Sequence, residues 1–386
     1  MITYGRQNIS ESDIEAVVKI LRSDFLTQGP AVPAFEQAVA SQVNAKYGVA
    51  VSNATAALHI GCLALGLSSG DRLWTVTNTF VASANCGLYC GAQVDFVDID
   101  PETWNMSVPK LRAKLEAAKK TNTLPKVLVP VHFSGQATEQ ELIWELAQEY
   151  GFRVLEDASH SIGGSRNGEM IGSCRWSDIT VFSFHPVKII TTGEGGMAMT
   201  NDADLAESMQ MLRSHGITRD SNILYNKDPA PWYYEQQFLG FNYRMTDIQA
   251  ALGLSQLSRL GLNIEKRNAI AQYYDQAFSD LPIQLPFIQL ENSSAFHLYI
   301  VRLVNDKLTK SHRQVFEQLR GLGIGVNLHY LPVHLQPYYR GLGFEGGQFP
   351  ESEMHGASAI TLPLHPNLTK QEQDFIIRSV STILSN

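Results

Sequence analysis

Lys188 has the clearest chemical potential in this sequence, because its amine lies in an apolar, glycine-lined stretch. It stands between residues 179–184 and 197–200, two apolar runs that are typical of buried strands. Burial makes a charged amine costly and lowers its pKa, as a lysine that forms a Schiff base requires. The alternative is an ordinary lysine that extends to the solvent beside a glycine turn.

Three further strand ends carry side chains that suit a flat, anionic ligand. Residues 52–57 (SNATAA) join a strand to a helix, where free N–H groups attract an anion, although the same pattern is also an ordinary helix cap. Phe80 follows a second strand and could stack on a planar ring or belong to the core. Asp157 ends a third strand, where a carboxylate needs a cationic ligand, a salt bridge or a capping role. His160, three residues later, could be a hydrogen-bonding neighbour or a packed ring.

Together these features predict a site for pyridoxal phosphate. Lys188 would hold the cofactor covalently, and Asp157 would keep its ring nitrogen protonated so that the ring accepts carbanion charge. The helix that begins at Ala54 and Thr55 would bind the phosphate. When an incoming amine replaces the lysine, the released lysine amine could move a proton at the substrate carbon.

The elements that must position these residues alternate between strands and helices from residue 48 to residue 200. Short, unbroken apolar strands between helices predict an α/β fold with a mostly parallel central sheet covered on both faces. Residues 179–184 and 197–200 are joined by a loop without a helix, so one strand is expected to run antiparallel. In such sheets, ligands bind beyond the carboxyl ends of the strands.

The C-terminal part of the sequence predicts a smaller α+β domain. A long helix over residues 246–277 is expected to lead into it, followed by strands over 298–303 and 325–329 and by further helices. We therefore predict a large cofactor-binding domain at residues 1–250, which includes an N-terminal segment that lines the substrate. The small domain would occupy residues 251–386 and include the linking helix.

Composition argues against several classes of function. The 386 residues carry a net charge of −8 without a basic run, which argues against nucleic acid and anionic membrane surfaces as partners. The polar start and the short apolar stretches predict a cytoplasmic protein without a signal peptide or a membrane span. The four cysteines are expected to be reduced and mostly buried, and no metal site is expected. The polar and aromatic loop at 214–242 is long enough to be functional.

The chain resembles the sugar-nucleotide aminotransferases of the DegT/DnrJ/EryC1/StrS group, which have the fold type I architecture of aspartate aminotransferase. The resemblance extends from Tyr4 to the final helix. It rests on the motifs LTQGP (26–30), SNATAALH (52–59), TFVASAN (79–85), FVDID (96–100), EDASHSIG (156–163), FSFHPVKIITTGEGG (182–196), LRSHG (212–216) and GFNYRMTDIQAALGLSQL (240–257).

The resemblance implies roles for individual residues. Lys188 is the catalytic residue that binds the cofactor, Asp157 lies at the ring nitrogen, and Phe80 lies on the ring face. The residues assigned to the cofactor site are Ala54, Thr55, Phe80, Asp157, His160, Ser183, Lys188 and Asn242, the last reaching the neighbouring subunit of a homodimer with shared sites. The residues assigned to the sugar-nucleotide pocket are Tyr4, Asp24, Phe25, Leu26, Thr27, Ala54, Ser183, Asn242, Asn327, Leu328, His329 and Tyr330.

The reaction that this resemblance implies moves the amino group of L-glutamate to the C4 ketone of a UDP-linked 2-acetamido-2,6-dideoxy sugar. The alternatives are an aminotransferase for another keto sugar nucleotide, a pyridoxal phosphate-dependent sugar dehydratase and an inactive cofactor-binding protein. Dehydratases of this fold replace the lysine with histidine, so Lys188 argues against that alternative. Intact Asp157 and Thr55 argue against an inactive relic.

The sequence departs from the pattern of the group at a few positions. Ser52 and Asn53 occur in the reverse of the usual order, which leaves their contacts with the phosphate open. Trp74 replaces a smaller aliphatic residue. Asn78 stands where proline or isoleucine is common, just before the Thr-Phe pair.

Overall fold

The protein is described here by a computed structural model, which covers residues 1–385. The strands are β1 (Ile2–Thr3), β2 (Tyr47–Val51), β3 (Arg72–Val76), β4 (Gln93–Val97), β5 (Val127–Val129), β6 (Arg153–Asp157), β7 (Ser165–Arg166), β8 (Glu169–Met170), β9 (Ile179–Ser183), β10 (Gly196–Thr200), β11 (Ile217–Thr218), β12 (Glu235–Gln236), β13 (Ile283–Gln284), β14 (Asn292–Ser293), β15 (Tyr299–Leu303), β16 (Ile324–Gly325) and β17 (Ala359–Leu362). The helices are α1 (Glu11–Leu21), α2 (Ala31–Val43), α3 (Ala54–Ala64), α4 (Ala82–Tyr89), α5 (Val108–Thr121), α6 (Gln140–Tyr150), α7 (Ala203–Leu212), α8 (Asp247–Leu257), α9 (Leu260–Phe278), α10 (His312–Gly321), α11 (Pro337–Arg340), α12 (Pro350–Ser358) and α13 (Lys370–Ser385).

The central sheet explains why the candidate residues gather at one edge. Within residues 1–385 it has seven strands, in the order β2-β10-β9-β6-β5-β3-β4. β10 is antiparallel to both of its neighbours, while β9, β6, β5, β3 and β4 pair in parallel. The predicted mostly parallel sheet with an antiparallel strand is therefore confirmed. The carboxyl ends of β2, β3, β5, β6 and β9 all lie at the same edge.

Helices cover both faces of this sheet, which accounts for the unbroken apolar strands. Every residue of β9 and β10 is buried. Because successive side chains of a strand point to opposite faces, neighbours belong to different cores. Val181 packs in the cluster that contains α3 and α7, whereas Phe182 packs in the cluster that contains α2 and α8.

The C-terminal part has its own antiparallel sheet and its own core. The sheet has the order β13-β15-β17. Tyr274 and Phe278 of α9, Leu319 of α10 and Ile376 of α13 pack against Tyr299 of β15 in a separate cluster. Half-buried apolar residues, among them Ile2 of β1 and Ile377 of α13, pack against that cluster. The C-terminal part thus has helices, an antiparallel sheet and a core of its own, as a small α+β domain requires. The division at residues 250 and 251 falls inside α8 and remains a prediction.

The predicted long helix over residues 246–277 is wrong in one respect, because it is two helices. α8 ends at Leu257 and α9 begins at Leu260. At the break, the Ser258 hydroxyl donates to the Ser255 carbonyl at 2.7 Å, and Arg259 leaves the helical conformation. Such a side-chain bond competes with the backbone bonds of the helix.

The predicted strand over residues 325–329 is also largely wrong. Only Ile324–Gly325 forms a strand, and it pairs with the short β1. Beyond it, Asn327 pairs with Thr361 of β17, with N–H···O distances of 3.2 and 2.8 Å. β1, the strand that β16 pairs with, ends after two residues and cannot extend the pairing. Residues 328–331 therefore continue as an irregular segment. Within residues 1–385, no helix has both the length and the apolar composition needed to cross a membrane.

Candidate active site

One cavity of about 850 Å³ lies beyond the carboxyl edge of the central sheet. It collects residues that follow β2, β3, β6 and β9, and a wall from the C-terminal part. The predicted residues that line it are Tyr4, Ala54, Thr55, Phe80, Asp157, His160, Ser183, Lys188, Asn327, Leu328, His329 and Tyr330. The folding of distant strand ends into one cavity thus brings these twelve residues together.

Lys188 lies in the loop that joins β9 to β10 and keeps part of its surface open to the cavity. Its backbone N–H donates to the His185 carbonyl at 2.9 Å, which fixes the loop at the lysine. Desolvation by the surrounding protein lowers the pKa of Lys188 to about 8, and the charge of Asp157 partly opposes this shift. The amine is therefore neutral in about half of the molecules near pH 8, whereas an ordinary lysine, with a pKa near 10.4, would be almost entirely protonated there.

Asp157 ends β6, is 5% exposed, and is oriented by neutral donors. The Ser83 hydroxyl donates to Oδ2 at 2.6 Å, and the Ser159 N–H donates to Oδ1 at 3.1 Å. Because the Ser83 hydroxyl donates its proton to this hydrogen bond with Asp157, its oxygen can accept a second bond from the Thr79 hydroxyl, 2.8 Å away. A Thr79–Ser83–Asp157 chain of hydrogen bonds therefore fixes the carboxylate at the cavity.

The N-terminus of α3 forms another part of the cavity wall. Asn53 caps the helix, since its side-chain oxygen accepts from the Ala56 N–H at 2.9 Å. Ala54 and Thr55 lie in the first turn, where N–H groups have no partner within the helix. Gly196 packs so closely here that an added Cβ would lie 2.5 Å from the Ala54 nitrogen. Glycine at position 196 thus lets the start of β10 pack directly against the start of α3. The N–H groups of the first turn of α3 are the part of this wall that can bind an anion.

Phe80 and His160 have opposite environments. The Phe80 ring is 58% exposed although it lines the cavity, so its alternative as a core residue is wrong. His160 is buried, and burial together with the charges of Lys188 and His329 places its pKa well below the usual range. The Ser134 N–H donates to Nδ1 at 3.3 Å, so the neutral ring carries its proton on Nε2. That proton points to the Tyr330 hydroxyl, 3.1 Å away.

The wall from the C-terminal part is built by residues 327–330. His329 is held by the Thr361 hydroxyl at 2.8 Å from Nδ1, and burial, with the charges of Lys188 and His355, lowers its pKa to about 3. The Tyr4 ring contacts the His329 ring with centroids 5.1 Å apart. His329 and Tyr330 both line the cavity.

The remaining predicted residues lie outside the cavity of this single chain. Residues 24–27 are exposed, and Thr27 pairs with Thr246 at the start of α8. Asn242 is also exposed and pairs with Ser214. Their assignments to the substrate and the cofactor remain predictions, which depend on a second copy of the chain.

Several further residues belong to the site, although the sequence motifs do not assign them a role. Ser83 stands four residues after Thr79 in the TFVASAN motif, and this spacing is the signal in the sequence that could have indicated a contact between the two hydroxyls. His297 lines the cavity with its ring centroid 4.6 Å from that of His160, but nothing marks it in the sequence. His185 and Glu194 also line the cavity and lie in the lysine loop.

The residues present fit pyridoxal phosphate. A lysine with a lowered pKa, a buried carboxylate and an exposed aromatic face surround the cavity, and the helix start beside Gly196 offers backbone N–H groups to a phosphate. Sheet and cavity together define an enzyme of the pyridoxal phosphate-dependent fold type I class. More particularly, the chain belongs to the DegT/DnrJ/EryC1/StrS aminotransferase family, whose model matches residues 7–381. Its cofactor is therefore pyridoxal 5′-phosphate.

Individual relatives cover nearly the whole chain. The UDP-4-amino-4,6-dideoxy-N-acetyl-beta-L-altrosamine transaminase of Campylobacter jejuni strain 81-176 is 34% identical over 386 residues, which cover 100% of this chain and 98% of the relative. The GDP-perosamine synthase of Caulobacter vibrioides is 37% identical, covering 99% and 98%. Among solved structures, Helicobacter pylori PseC, an aminotransferase of pseudaminic acid biosynthesis, superposes with a TM-score of 0.90 at 30% identity and covers 100% and 99%.

Proposed function

We propose that this aminotransferase acts on a UDP-linked 4-keto sugar and takes its amino group from L-glutamate. The product would be UDP-4-amino-4,6-dideoxy-N-acetyl-β-L-altrosamine, formed from UDP-2-acetamido-2,6-dideoxy-β-L-arabino-hexos-4-ulose, a step of pseudaminic acid biosynthesis. The observation that carries this proposal is the cavity that joins Lys188 and Asp157 to the wall at residues 327–330. The Campylobacter transaminase, 34% identical, supports the particular sugar.

In this proposal the residues of the cavity have different roles in the reaction. Bound cofactor supplies an electron sink for the carbanion formed during transamination. Lys188 holds the cofactor and, when free, carries a proton at the reacting carbon, for which a pKa of about 8 is well suited. Asp157 would lie at the ring nitrogen, and Phe80 would cover a ring face. Ala54, Thr55 and Ser183 would bind the phosphate.

The acceptor would lie between the cofactor and the wall formed by residues 327–330. Its sugar would contact Tyr4, His329 and Tyr330, which are buried or half-buried rings with polar ends. Such side chains give a sugar both apolar contact and hydrogen bonds. Because burial keeps His329 neutral, the wall does not repel a cationic product amine.

A homodimer would complete each site. The exposed segment at residues 24–27 and exposed Asn242 would reach the partner's cavity. The surface of a single chain has large exposed apolar side chains near these segments in sequence, including Phe25 at 52%, Trp232 at 78% and Leu239 at 81% exposure. Exposed apolar groups of this size are typical of surfaces that a partner covers.

The test is product analysis with a panel of keto sugar nucleotides. Purified enzyme, pyridoxal phosphate and nitrogen-labelled L-glutamate would be incubated with UDP- and GDP-linked 4-keto sugars, and the products analysed by mass spectrometry. We expect labelled amine in the UDP-linked 4-keto hexosamine derivative and the highest kcat/KM for that substrate. A product that has lost a hydroxyl without gaining labelled nitrogen would indicate a dehydratase and refute the proposal.

A second candidate has one specific observation in its favour. The Caulobacter GDP-perosamine synthase is 37% identical, slightly above the Campylobacter transaminase. The same active-site residues could therefore aminate a GDP-linked 4-keto sugar. The panel separates the two candidates, because preference for the GDP-linked substrate would replace the first proposal with the second.

The role of Lys188 has its own test. Sodium borohydride should fix the cofactor to the wild-type chain, and peptide mapping should locate the adduct at Lys188. The Lys188→Ala variant should form no such adduct. Lys126→Ala is a matched control, because it removes a lysine outside the cavity that pairs with Asp71 at 2.9 Å. A reducible adduct that persisted in Lys188→Ala would exclude Lys188 as the attachment point.

A further inference from the structure

We propose that Asn78 is a positioning residue, which holds Tyr330 and the wall at residues 327–330 at the distance from Phe80 that the acceptor sugar requires. The inference rests on the proposed function and deepens it. It assigns part of the acceptor recognition to a buried residue that does not line the cavity. Asn78 lies in the turn between β3 and α4, two residues before Phe80.

The first support is the complete burial of a polar side chain. Asn78 is 0% exposed, and a buried amide is costly unless its hydrogen bonds are made. Its Oδ1 accepts from the Tyr330 N–H at 3.2 Å, across 252 residues of sequence. Its Nδ2 lies 3.5 Å from the Trp104 carbonyl, at the long end of the range for a bond. The stronger contact of Asn78 is therefore with the wall.

The second support is that the same turn holds the wall at another point. The Val333 N–H donates to the Thr77 carbonyl at 2.9 Å. Residues 77–78 thus bind the backbone on both sides of Leu331. Two hydrogen bonds therefore join the turn that carries Phe80 to the segment that carries Tyr330.

The third support is what Tyr330 does inside the cavity. Its ring lies 6.4 Å from that of Phe80 and nearly parallel to that of His160, with an interplanar angle of 18°. Its hydroxyl accepts the Nε2 proton of His160 at 3.1 Å, so its own proton remains available to another acceptor. A shift of the Tyr330 backbone would move this donor and narrow or widen the gap to Phe80.

This arrangement separates the two halves of the reaction. The half-reaction that takes an amino group from glutamate needs Lys188, Asp157 and the cofactor. Its substrate, glutamate, is much smaller than a sugar nucleotide. The half that gives the amino group to the sugar also needs the wall at residues 327–330. Loss of the Asn78 contact should therefore weaken the acceptor half selectively.

The experiment compares Asn78→Ala, Asn78→Asp and Asn85→Ala as holoenzymes, with each half-reaction followed by cofactor absorbance in a stopped-flow instrument. We expect Asn78→Ala to raise the KM for the keto sugar about tenfold, the cost of one lost hydrogen bond with a displaced partner, and to change the glutamate half-reaction less than twofold. Asn78→Asp keeps an acceptor oxygen, and a buried unpaired carboxyl favours its protonated form. It should restore most of the acceptor KM.

Asn85→Ala is the matched control. Asn85 also joins α4 to the C-terminal part, because its Oδ1 accepts from the Tyr339 hydroxyl at 2.7 Å, but it does not line the cavity. It should lower stability without changing the acceptor KM. Equal losses in both half-reactions for Asn78→Ala, or an unchanged acceptor KM, would overturn the inference while leaving the proposed function intact. A wild-type enzyme that uses glutamate but aminates no keto sugar would refute the proposed function, and the inference with it.

Discussion

At the residue scale, the lowered pKa of Lys188 makes attachment of the cofactor dependent on pH. Only the neutral amine can bond to the aldehyde of pyridoxal phosphate, and burial lowers the pKa of this lysine to about 8. We expect the rate of cofactor attachment to the apoenzyme to rise with pH and to reach half of its maximum near pH 8. An ordinary lysine, with a pKa near 10.4, would place the midpoint more than two pH units higher.

The measurement is the initial rate of the absorbance change after mixing apoenzyme with pyridoxal phosphate at pH 6 to 10. Lys188→Ala provides the background from other amines. A midpoint at or above pH 10 would show that the loop does not desolvate the lysine.

The hydrogen bond between Ser83 and Asp157 yields a second prediction. Ser83→Ala removes the donor at 2.6 Å from the carboxylate, and a bond to a charged group contributes about 1.5–3 kcal/mol. We expect the cofactor to bind roughly 10–100-fold more weakly and kcat to fall, as judged by absorbance titration and steady-state kinetics. Thr79→Val is the control. It removes the next hydroxyl in the Thr79–Ser83–Asp157 series of hydrogen bonds. Cofactor affinity and kcat should both fall, but by less than in Ser83→Ala.

At the element scale, Asp13 ties α1 to α8. It is 0% exposed, and its carboxylate accepts from the side chains of Ser255 at 2.6 Å, Gln256 at 2.7 Å and Arg259. Burial raises the pKa of Asp13, but these bonds and that of the Ser10 N–H outweigh it and leave the pKa lowered. A lowered folded-state pKa means that this stabilisation is complete above the unfolded-state pKa and is lost as pH falls through the folded-state value.

We therefore expect Asp13→Leu to lower the free energy of unfolding by about 3 kcal/mol at pH 7, because the buried partners lose their acceptor. Urea denaturation would measure the change, and Glu11→Ala, at an exposed position of the same helix, should change little. As the pH falls through the lowered folded-state pKa of Asp13, the difference between Asp13→Leu and wild type should shrink. A variant as stable as wild type at pH 7 would contradict this account.

Element types were predictable from the sequence wherever burial alone decided them. The runs at residues 179–184 and 197–200 are apolar without a break because both faces of the sheet are covered, and this pattern made the strands predictable. The break at Ser258 and the short β16 were not predictable, because a side-chain bond and a missing neighbour decide them. Likewise, Asp157 and Lys188 are visible in local motifs, whereas His297 reaches the cavity only through the packing of the C-terminal part.

At the scale of the whole molecule, the proposal that two chains share their sites can be tested at Asn242, which the family resemblance assigns to the partner's cavity and which is exposed in the single chain. If Asn242 acts in the partner's cavity, Asn242→Ala and Lys188→Ala chains should each be nearly inactive alone. Mixed dimers should recover activity, because one of their two sites combines an intact Lys188 with an intact Asn242. Activity would be measured after co-refolding the two variants at several ratios, with each variant refolded alone as the control. If no mixing ratio restores activity, the shared-site model fails.

The antiparallel course of β10 has a consequence for engineering. Because Gly196 pairs with Ser183, and the Phe184 N–H donates to the Gly195 carbonyl at 2.9 Å, the chain leaves and re-enters the sheet at the same edge. The segment that carries Lys188 is thus the loop of a β-hairpin, and the paired strands β9 and β10 fix its two ends. Residues 185–194 could therefore be exchanged as a cassette with those of a family member, and reactivity at the amine tuned while strand order and register are preserved.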